Sequence, residues 1–193
     1  MGRENKMKKV IFLLIISLLI STPTFPKDKF TISLVDNLLL SFDKDFRQTY
    51  ANGAFFPELK IEYLIYKNFF IYSAFGFHKT ETETENFSIH SKSKHSIFSF
   101  GGGYNWETSD KFSYKGGFGF FYILYNGKIQ NNKATDSGSG FRIDLDIIYY
   151  ISKSFFAKVS IGYLCALNEI NDINNILITP GGFKLGLGLG VNF

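Results

Sequence analysis

Cysteine, methionine, proline and tryptophan are all scarce in this chain of 193 residues, which contains 1, 2, 4 and 1 of them respectively. The single cysteine, Cys165, excludes an intramolecular disulfide, and no cysteine follows the apolar run near the start to serve as a lipoprotein-type attachment point. After Lys27 no stretch has the 18 or more apolar residues of a membrane helix, and no convincing helical period appears. The 45% of hydrophobic residues must therefore be accommodated in another way.

A marked excess of one charge is also lacking. The formal net charge is +4, and Arg3, Lys6, Lys8 and Lys9 against Glu4 account for +3 of it. Subtracting 3 from 4 leaves about +1 for the rest of the chain. We therefore expect no nucleic-acid partner.

Residues 1–26 have the layout of a secretory signal peptide. The basic stretch "MGRENKMKK" precedes the apolar run "VIFLLIISLLI", and "STPTFP" interrupts it. This run is too short to span a bilayer as a helix. We predict cleavage between residues 21 and 27, which leaves one domain over residues 27–193.

The abundant residues favour β-structure. Aromatic residues reach 18%, with 23 Phe and 11 Tyr, and Gly contributes 18 more residues. Apolar residues recur with a period of two in eight segments, of which the first is the least regular because Asp36 falls on its apolar face. The predicted strands are residues 28–42, 54–65, 69–85, 90–106, 112–126, 138–151, 155–167 and 176–193.

The connections between these segments alternate strictly in length. The short ones read "YKN", "ETSDK" and "SKS", and the long polar ones read "DKDFRQTYANG", "TETETENFSIHSKSK", "GKIQNNKATDS" and "NEINDINN". Short periplasmic turns and longer external loops are typical of outer-membrane barrels. The pattern predicts an all-β fold, an eight-stranded antiparallel up-and-down transmembrane β-barrel in the bacterial outer membrane, with both termini periplasmic.

Alternation alone leaves open whether the apolar face points inward, as in a soluble lipocalin-like barrel, or outward into lipid. Aromatic residues beside the short turns favour the outward orientation, because aromatic girdles mark membrane interfaces. The opposite face carries charges and many glycines, such as Gly101, Gly119 and Gly162, which would leave room inside a narrow barrel for long charged side chains. The predicted girdle comprises Tyr63, Tyr66, Phe69, Trp106, Phe112, Tyr114, Tyr149 and Phe155.

The third and fourth segments predict a hairpin that projects beyond the membrane. If paired residue numbers sum to 175, Phe69 faces Trp106 and Phe75 faces Phe100. The same register sets acidic residues of "TETETE" opposite basic ones, and such pairs stabilise a sheet. The predicted opposite pairs are Glu81 with Lys94, Glu83 with Lys92, and Glu85 with His90.

The whole predicted barrel resembles the small eight-stranded bacterial outer-membrane β-barrel family, the OmpA/OmpX-like group. The eight segments, the turn–loop alternation and a last strand that ends on Phe193 carry the resemblance, and the hairpin at residues 79–94 resembles the protruding strands of the OmpX-like members. The resemblance implies that the last strand, with Leu189, Val191 and Phe193, is the signal read by the barrel-assembly machinery.

A cluster of charged residues is predicted to face the lumen. Unpaired charges there would be costly, so we expect interlocking ion pairs. One interpretation is a polar plug that fills the barrel, and the other is a narrow conduit for ions or small apolar solutes that opens when the pairs rearrange. The cluster comprises Glu58, Lys60, Glu62, Lys115, Arg142, Asp144, Asp146, Lys158 and Lys184.

Catalysis finds little support in the sequence. Asp144 and Asp146 share a face, but no third ligand or nucleophile is placed beside them by spacing. His90 and His95 stand next to Ser residues, yet adjacent strand residues point to opposite faces, so a lipid A-modifying site is the weakest alternative. We expect no catalytic residue, no cofactor and no metal site.

The sequence therefore favours a non-enzymatic surface role. We expect the external loops and the projecting hairpin to contact host molecules, other cells or lipopolysaccharide, with strand addition to the hairpin edge as one mode. The expected partners are outer-membrane lipid, lipopolysaccharide, the barrel-assembly machinery and a host or cell-surface ligand. A narrow channel is the second hypothesis, and a lipid A-modifying enzyme is the third.

Overall fold

The computed structural model describes residues 29–41, 54–84, 89–129, 132–168, 170–171, 177–178 and 181–193. The predicted signal peptide at residues 1–26 lies outside the described residues. Within the described ranges, no helix is long and apolar enough to cross a membrane.

Eight long strands close into an antiparallel barrel, which confirms the predicted fold. Each strand pairs with its neighbours in the chain, and the last long strand pairs with the first. A further two-stranded sheet joins β8 to β9. The strands are β1 (Phe30–Leu40), β2 (Ala54–Tyr66), β3 (Phe69–Thr84), β4 (Ile89–Glu107), β5 (Phe112–Ile129), β6 (Asn132–Tyr150), β7 (Phe155–Ala166), β8 (Ile170–Asn171), β9 (Leu177–Ile178) and β10 (Gly182–Asn192).

The seam between β1 and β10 closes the barrel. Leu34 pairs with Leu189 and Leu38 with Leu185 along this seam. Beyond the last paired residue, the Phe193 N–H donates to the Phe30 carbonyl at 2.8 Å, and the two rings lie 6.2 Å apart. Within the closed part of the barrel every long strand pairs on both sides, which satisfies the backbone groups that an open sheet edge would expose to lipid.

Two strand boundaries differ clearly from the prediction. The segment "GKIQNNKATDS" is largely strand, because β5 continues to Ile129 and β6 begins at Asn132. Its polar residues suit a sheet that faces water on both sides, and the hydrophobic pattern carries no signal there. The last barrel strand begins at Gly182 instead of residue 176, and part of the preceding segment forms β8 and β9.

The predicted register of the β3–β4 hairpin is wrong by two residues. Phe69 pairs with Tyr104 instead of Trp106, and Phe75 pairs with Phe98 instead of Phe100. The rings of Phe75 and Phe98 lie 4.9 Å apart. Alternation selects the face of a strand but not its stagger, since a shift of two residues preserves every inward and outward position.

The outer surface of the barrel is apolar, as predicted. Phe100 is 64% exposed and Leu187 is 69% exposed, although both lie in the middle of long strands. Seven of the eight predicted girdle aromatics are exposed, and Trp106 is half-buried. Asp36 is exposed on the same outer face of β1. Such a continuous apolar exterior requires a lipid environment.

Candidate functional site

The predicted charged cluster lies inside the barrel, and all nine of its side chains are buried. Alternate positions of β2, β6 and their neighbours point inward because side chains on a strand alternate between its two faces. The cluster divides into two groups of ion pairs. One is centred on Arg142 and the other on Asp146.

Arg142 is the centre of the first group. Its guanidinium donates to both carboxylate oxygens of Glu58, at 2.9 and 3.1 Å, and its Nε donates to Asp144 at 2.8 Å. Lys184 Nζ lies 2.6 Å from the other oxygen of Asp144 and 3.7 Å from Glu58. Arg142 also donates to the Ser99 hydroxyl at 2.8 Å. A bidentate Arg–carboxylate pair has a fixed geometry, so this group locks β2 to β6 across the lumen.

Asp146 is the centre of the second group. One of its oxygens accepts from Lys60 at 3.1 Å and from Lys158 at 3.3 Å, and the other accepts from the Ser160 hydroxyl at 2.6 Å. Lys60 also lies 3.0 Å from Glu62. Lys115 extends the group, since it donates to the second oxygen of Glu62 at 2.5 Å.

The charged cluster as a whole contains five cations and four carboxylates. Two aromatic rings, of Phe70 and Tyr72, also lie close to its cations. Lys60 Nζ lies 4.7 Å from the centre of the Tyr72 ring, and the Arg142 guanidinium lies 5.6 Å from it. Lys115 Nζ lies 5.4 Å from the centre of the Phe70 ring. A ring face attracts a desolvated cation, so these rings compensate part of the charge that the carboxylates leave unpaired.

Sequence reasoning missed these inward-facing rings. Phe70 and Tyr72 lie in "FFIYSAF", where apolar residues occupy both faces and alternation is hidden. The glycines opposite them could have signalled large neighbours. A methyl group added at Gly119 would lie 2.4 Å from the Tyr72 hydroxyl, and one added at Gly101 would lie 2.8 Å from it.

The prediction about glycine therefore needs correction. Gly101 and Gly119 make room for an aromatic ring and for close backbone approach, instead of for charged side chains. Gly162 fits the prediction, because a methyl group there would lie 2.6 Å from an Asp144 oxygen and 3.0 Å from Lys184. Small residues in a narrow barrel admit whichever large side chain the opposite wall supplies.

A hydrophobic cluster fills the lumen towards the long-loop end of the barrel. Its residues lie near the outer ends of β1, β2 and β7 and on the inward face of β4 and β5. The inward face is thus polar in the middle of the barrel and apolar towards the long loops. The predicted polar plug did not include this apolar part. The cluster comprises Leu39, Phe56, Ile97, Phe121, Ile123, Tyr125 and Leu164.

A cavity of about 940 Å³ opens at the short-turn end. Lys115 and Glu62 lie at its inner limit, and its rim is formed by Lys29 just before β1 and by residues of the short turns, such as Lys111. The side-chain oxygen of Asn105 is buried in its wall with no hydrogen-bond partner among the described atoms. The described lumen therefore combines a wide vestibule at the short-turn end, the ion pairs and the hydrophobic cluster.

The charged residues of the predicted projecting hairpin lie opposite one another across β3 and β4, but not with the predicted partners. Glu81 pairs with Lys92, and Glu83 pairs with His90, each two residues from the predicted partner. Lys94 pairs with Lys79 instead of Glu81. Glu85 lies outside the described residues.

The last strand places its predicted signal residues on the outer face. Leu189 is 65% exposed and Phe193 is 62% exposed, and Val191 between them is half-buried.

The histidines and Cys165 show no catalytic arrangement among the described side chains. His95 is buried against Tyr125, with ring centres 5.0 Å apart, whereas Ser96 belongs to the opposite face of β4. Cys165 is exposed on the lipid side of β7. Within the described residues, no group of three or more His, Cys, Asp or Glu side chains could hold a metal ion.

An apolar exterior, a charged interior and complete closure define a membrane-spanning β-barrel. The chain has the fold of the small eight-stranded outer-membrane barrels. It superposes on the Neisserial surface protein A, NspA, with a TM-score of 0.62 and 11% identity, covering 85% of this chain and 96% of that one.

Two further solved barrels are similar in fold. OprG of Pseudomonas aeruginosa matches with a TM-score of 0.58 and 12% identity over 86% of this chain and 97% of its own. Ail of Yersinia pestis, the attachment invasion locus protein, was solved in complex with the heparin analogue sucrose octasulfate and matches with a TM-score of 0.54 and 12% identity, over 86% and 97%. No protein-family model matches the chain, and no curated protein matches it.

Proposed function

We propose that this protein is an integral barrel of the bacterial outer membrane that presents a β-sheet outside the cell and has no enzymatic role. In this orientation the short turns and both ends of the barrel domain face the periplasm. The long strand ends then extend outward from the outer leaflet. The similarity to outer-membrane barrels of the same strand number supports this orientation.

The observation that carries the proposal is the unequal length of the strands. β4, β5 and β6 have 19, 18 and 19 residues, whereas β1, β7 and β10 have 11, 12 and 11. About 9–11 residues suffice to cross a bilayer. The additional residues, at about 3.3 Å each, extend one side of the barrel by roughly 20 Å. We call this extension, residues 78–84, 89–95, 124–129 and 132–137, the projecting wall.

Residues 80–84 of β3 pair with β4 and with no second strand among the described residues, and this edge supports strand addition as one mode of contact. Pairing between β2 and β3 stops at Glu58 and Gly76, next to Pro57, which has no N–H to donate. Beyond this point, and within the described residues, β3 continues to Thr84 in pairing with β4. Where β2 and β3 diverge, the His78 ring donates a hydrogen bond to the Phe55 carbonyl, with a distance of 2.5 Å. An extended peptide could add to such an edge.

The conduit hypothesis has weaker support. The cavity at the short-turn end stops at Lys115 and Glu62, and ion pairs and the hydrophobic cluster occupy the lumen beyond it.

Cysteine labelling tests the proposed orientation. In a Cys165→Ser background, Thr135→Cys lies in the projecting wall and Lys153→Cys lies in a short turn, and both parent side chains are exposed. A membrane-impermeant maleimide added to intact cells should label Cys at 135 and spare Cys at 153 until the outer membrane is permeabilised. Labelling of 153 alone, or failure of both proteins to fractionate with outer membrane, would overturn the proposal.

A further inference from the structure

The two groups of ion pairs in the lumen differ in net charge. In the first group Arg142 and Lys184 face Glu58 and Asp144, so two cations meet two carboxylates and the group is neutral. The second group has three cations and two carboxylates, and three minus two leaves a net charge of +1. Its members are Lys60, Lys115, Lys158, Glu62 and Asp146.

The excess charge is shared among the three lysines of the second group. One oxygen of Asp146 accepts from Lys60 at 3.1 Å and from Lys158 at 3.3 Å. Glu62 lies 3.0 Å from Lys60 and 2.5 Å from Lys115. Each carboxylate therefore serves two lysines. The aromatic rings nearby attract these cations but carry no net charge, and a buried net charge is unfavourable without a counter-ion.

The cavity at the short-turn end gives a counter-ion access to this group. Lys115 and Glu62 line the cavity, whereas the four described side chains of the neutral group do not. Its volume of about 940 Å³ holds many water molecules, so an ion can enter together with part of its hydration shell. An ion can thus reach Lys115 without breaking any ion pair of the neutral group.

The mouth of this cavity favours anions over cations. Lys29, Lys111 and Lys153 line it together with Glu107 and Asp110. Among these described side chains, three cations outnumber two carboxylates. A cleft lined by an excess of one charge raises the local concentration of ions of the opposite charge.

Asn105 supplies a second hydrogen-bond donor beside Lys115. The two residues lie directly opposite each other in the β4–β5 register, and both line the cavity. Asn105 is buried, and its side-chain oxygen has no hydrogen-bond partner among the described atoms. No bond of that oxygen therefore fixes the amide, and its nitrogen can turn to donate to an anion at Lys115.

We propose that the inner end of the cavity binds one small, singly charged anion, a halide or a carboxylate, between the Lys115 ammonium group and the Asn105 amide. The anion accepts a charge-assisted hydrogen bond from Lys115. It also brings the net charge of the second group to zero. The proposal goes beyond the proposed function and does not depend on the orientation of the barrel in the membrane.

Chloride NMR tests this site with the folded, full-length barrel in an uncharged detergent. An ion that exchanges between water and a site on a slowly tumbling protein has a broader line, and the broadening caused by empty micelles is subtracted. The excess linewidth is compared for the wild type, Lys115→Gln, Glu62→Gln and Lys133→Gln. A heat-modifiable gel shift checks that each variant folds.

The two variants at the site should act in opposite directions. Lys115→Gln should bind chloride roughly tenfold less tightly, because it removes the charged donor. Glu62→Gln should bind chloride more tightly, because it removes one of two carboxylates and leaves Lys115 without its carboxylate partner. Lys133→Gln, in the projecting wall, loses the same charge as Lys115→Gln and should match the wild type.

Equal excess linewidths for the wild type and Lys115→Gln would overturn the proposal, as would weaker chloride binding by folded Glu62→Gln. If either variant fails the folding check, Asn105→Leu replaces it and should bind chloride less tightly than the wild type, whereas unchanged binding would contradict the site. Sodium acetate should narrow the wild-type line by competing with chloride. A line that acetate leaves unchanged would also count against the proposal. Cell labelling reports orientation and chloride NMR does not, so the failure of one experiment is separate from failure of the other.

Discussion

At the scale of single residues, Arg142 is the centre of one of the two groups of ion pairs in the lumen. It binds two carboxylates, one hydroxyl and the face of Tyr72. The sequence placed Arg142 and its carboxylates on the inward face, but Glu58 and Arg142 are 84 positions apart. Only closure of the barrel brings them into contact.

Removal of Arg142 should destabilise the barrel strongly. Arg142→Met leaves Glu58 and Asp144 buried with Lys184 as their remaining cation, and breaking a buried pair in this way costs about 3–5 kcal/mol. Arg142→Lys should cost less, because it keeps the charge and loses the bidentate geometry. The measurement is the free energy of unfolding in urea, with the barrel in phospholipid bicelles. Lys133→Gln, on the exposed wall, is the control and should change it by less than about 0.5 kcal/mol. A loss below about 1 kcal/mol for Arg142→Met would contradict the central role of this residue.

At the scale of elements, β10 shows how a strand with little side-chain volume is held in place. Its inward glycines lie against large residues of its neighbours. A methyl group added at Gly190 would lie 2.2 Å from the Phe156 ring, and one at Gly186 would lie 2.4 Å from Asn37. The strand is therefore complementary to β7 and β1.

This complementarity predicts a strong coupling between Gly190 and Phe156. Gly190→Ala should lower the free energy of unfolding by about 1–3 kcal/mol, because the buried ring must move. In the background of Phe156→Leu the same change should cost at least about 1 kcal/mol less. Gly102→Ala is the control, since its added methyl group would meet only the Phe70 carbonyl oxygen at 3.1 Å. Additive effects of the two changes at Gly190 and Phe156 would show that the ring is not the obstacle.

The elements also show where alternation stops being informative. It predicted the existence of all eight barrel strands and the inward face of the nine residues of the charged cluster. It failed at the ends of β5 and β6, where both faces are polar, and at the hairpin stagger, where Lys94 meets Lys79 instead of Glu81. Stagger depends on the shear of the closed barrel, which no single strand specifies.

At the scale of the whole molecule, the contents of the described lumen argue against steady ion flow. Ion pairs cross its middle, and Phe121 and Tyr125 belong to the hydrophobic cluster above them. The purified, folded barrel should give no steady conductance steps in planar bilayers at about 0.1–1 M salt, because charged pairs in this setting must break before water can pass. A general porin in the same bilayers is the positive control. Reproducible single-channel steps from the folded barrel would restore the conduit hypothesis.

The sequence by itself determined the strand number, the inward and outward faces and the membrane-type architecture, because a period of two records which side of a sheet each residue occupies. The tertiary structure alone decided the partner of each charge, the rings that lie over Lys60 and Lys115, and the pairing of Lys94 with Lys79 in the projecting wall. These features depend on the stagger of the strands and the closure of the barrel, which bring residues from distant strands to the same height, that is, the same position along the barrel axis. A local pattern contains no information about that height.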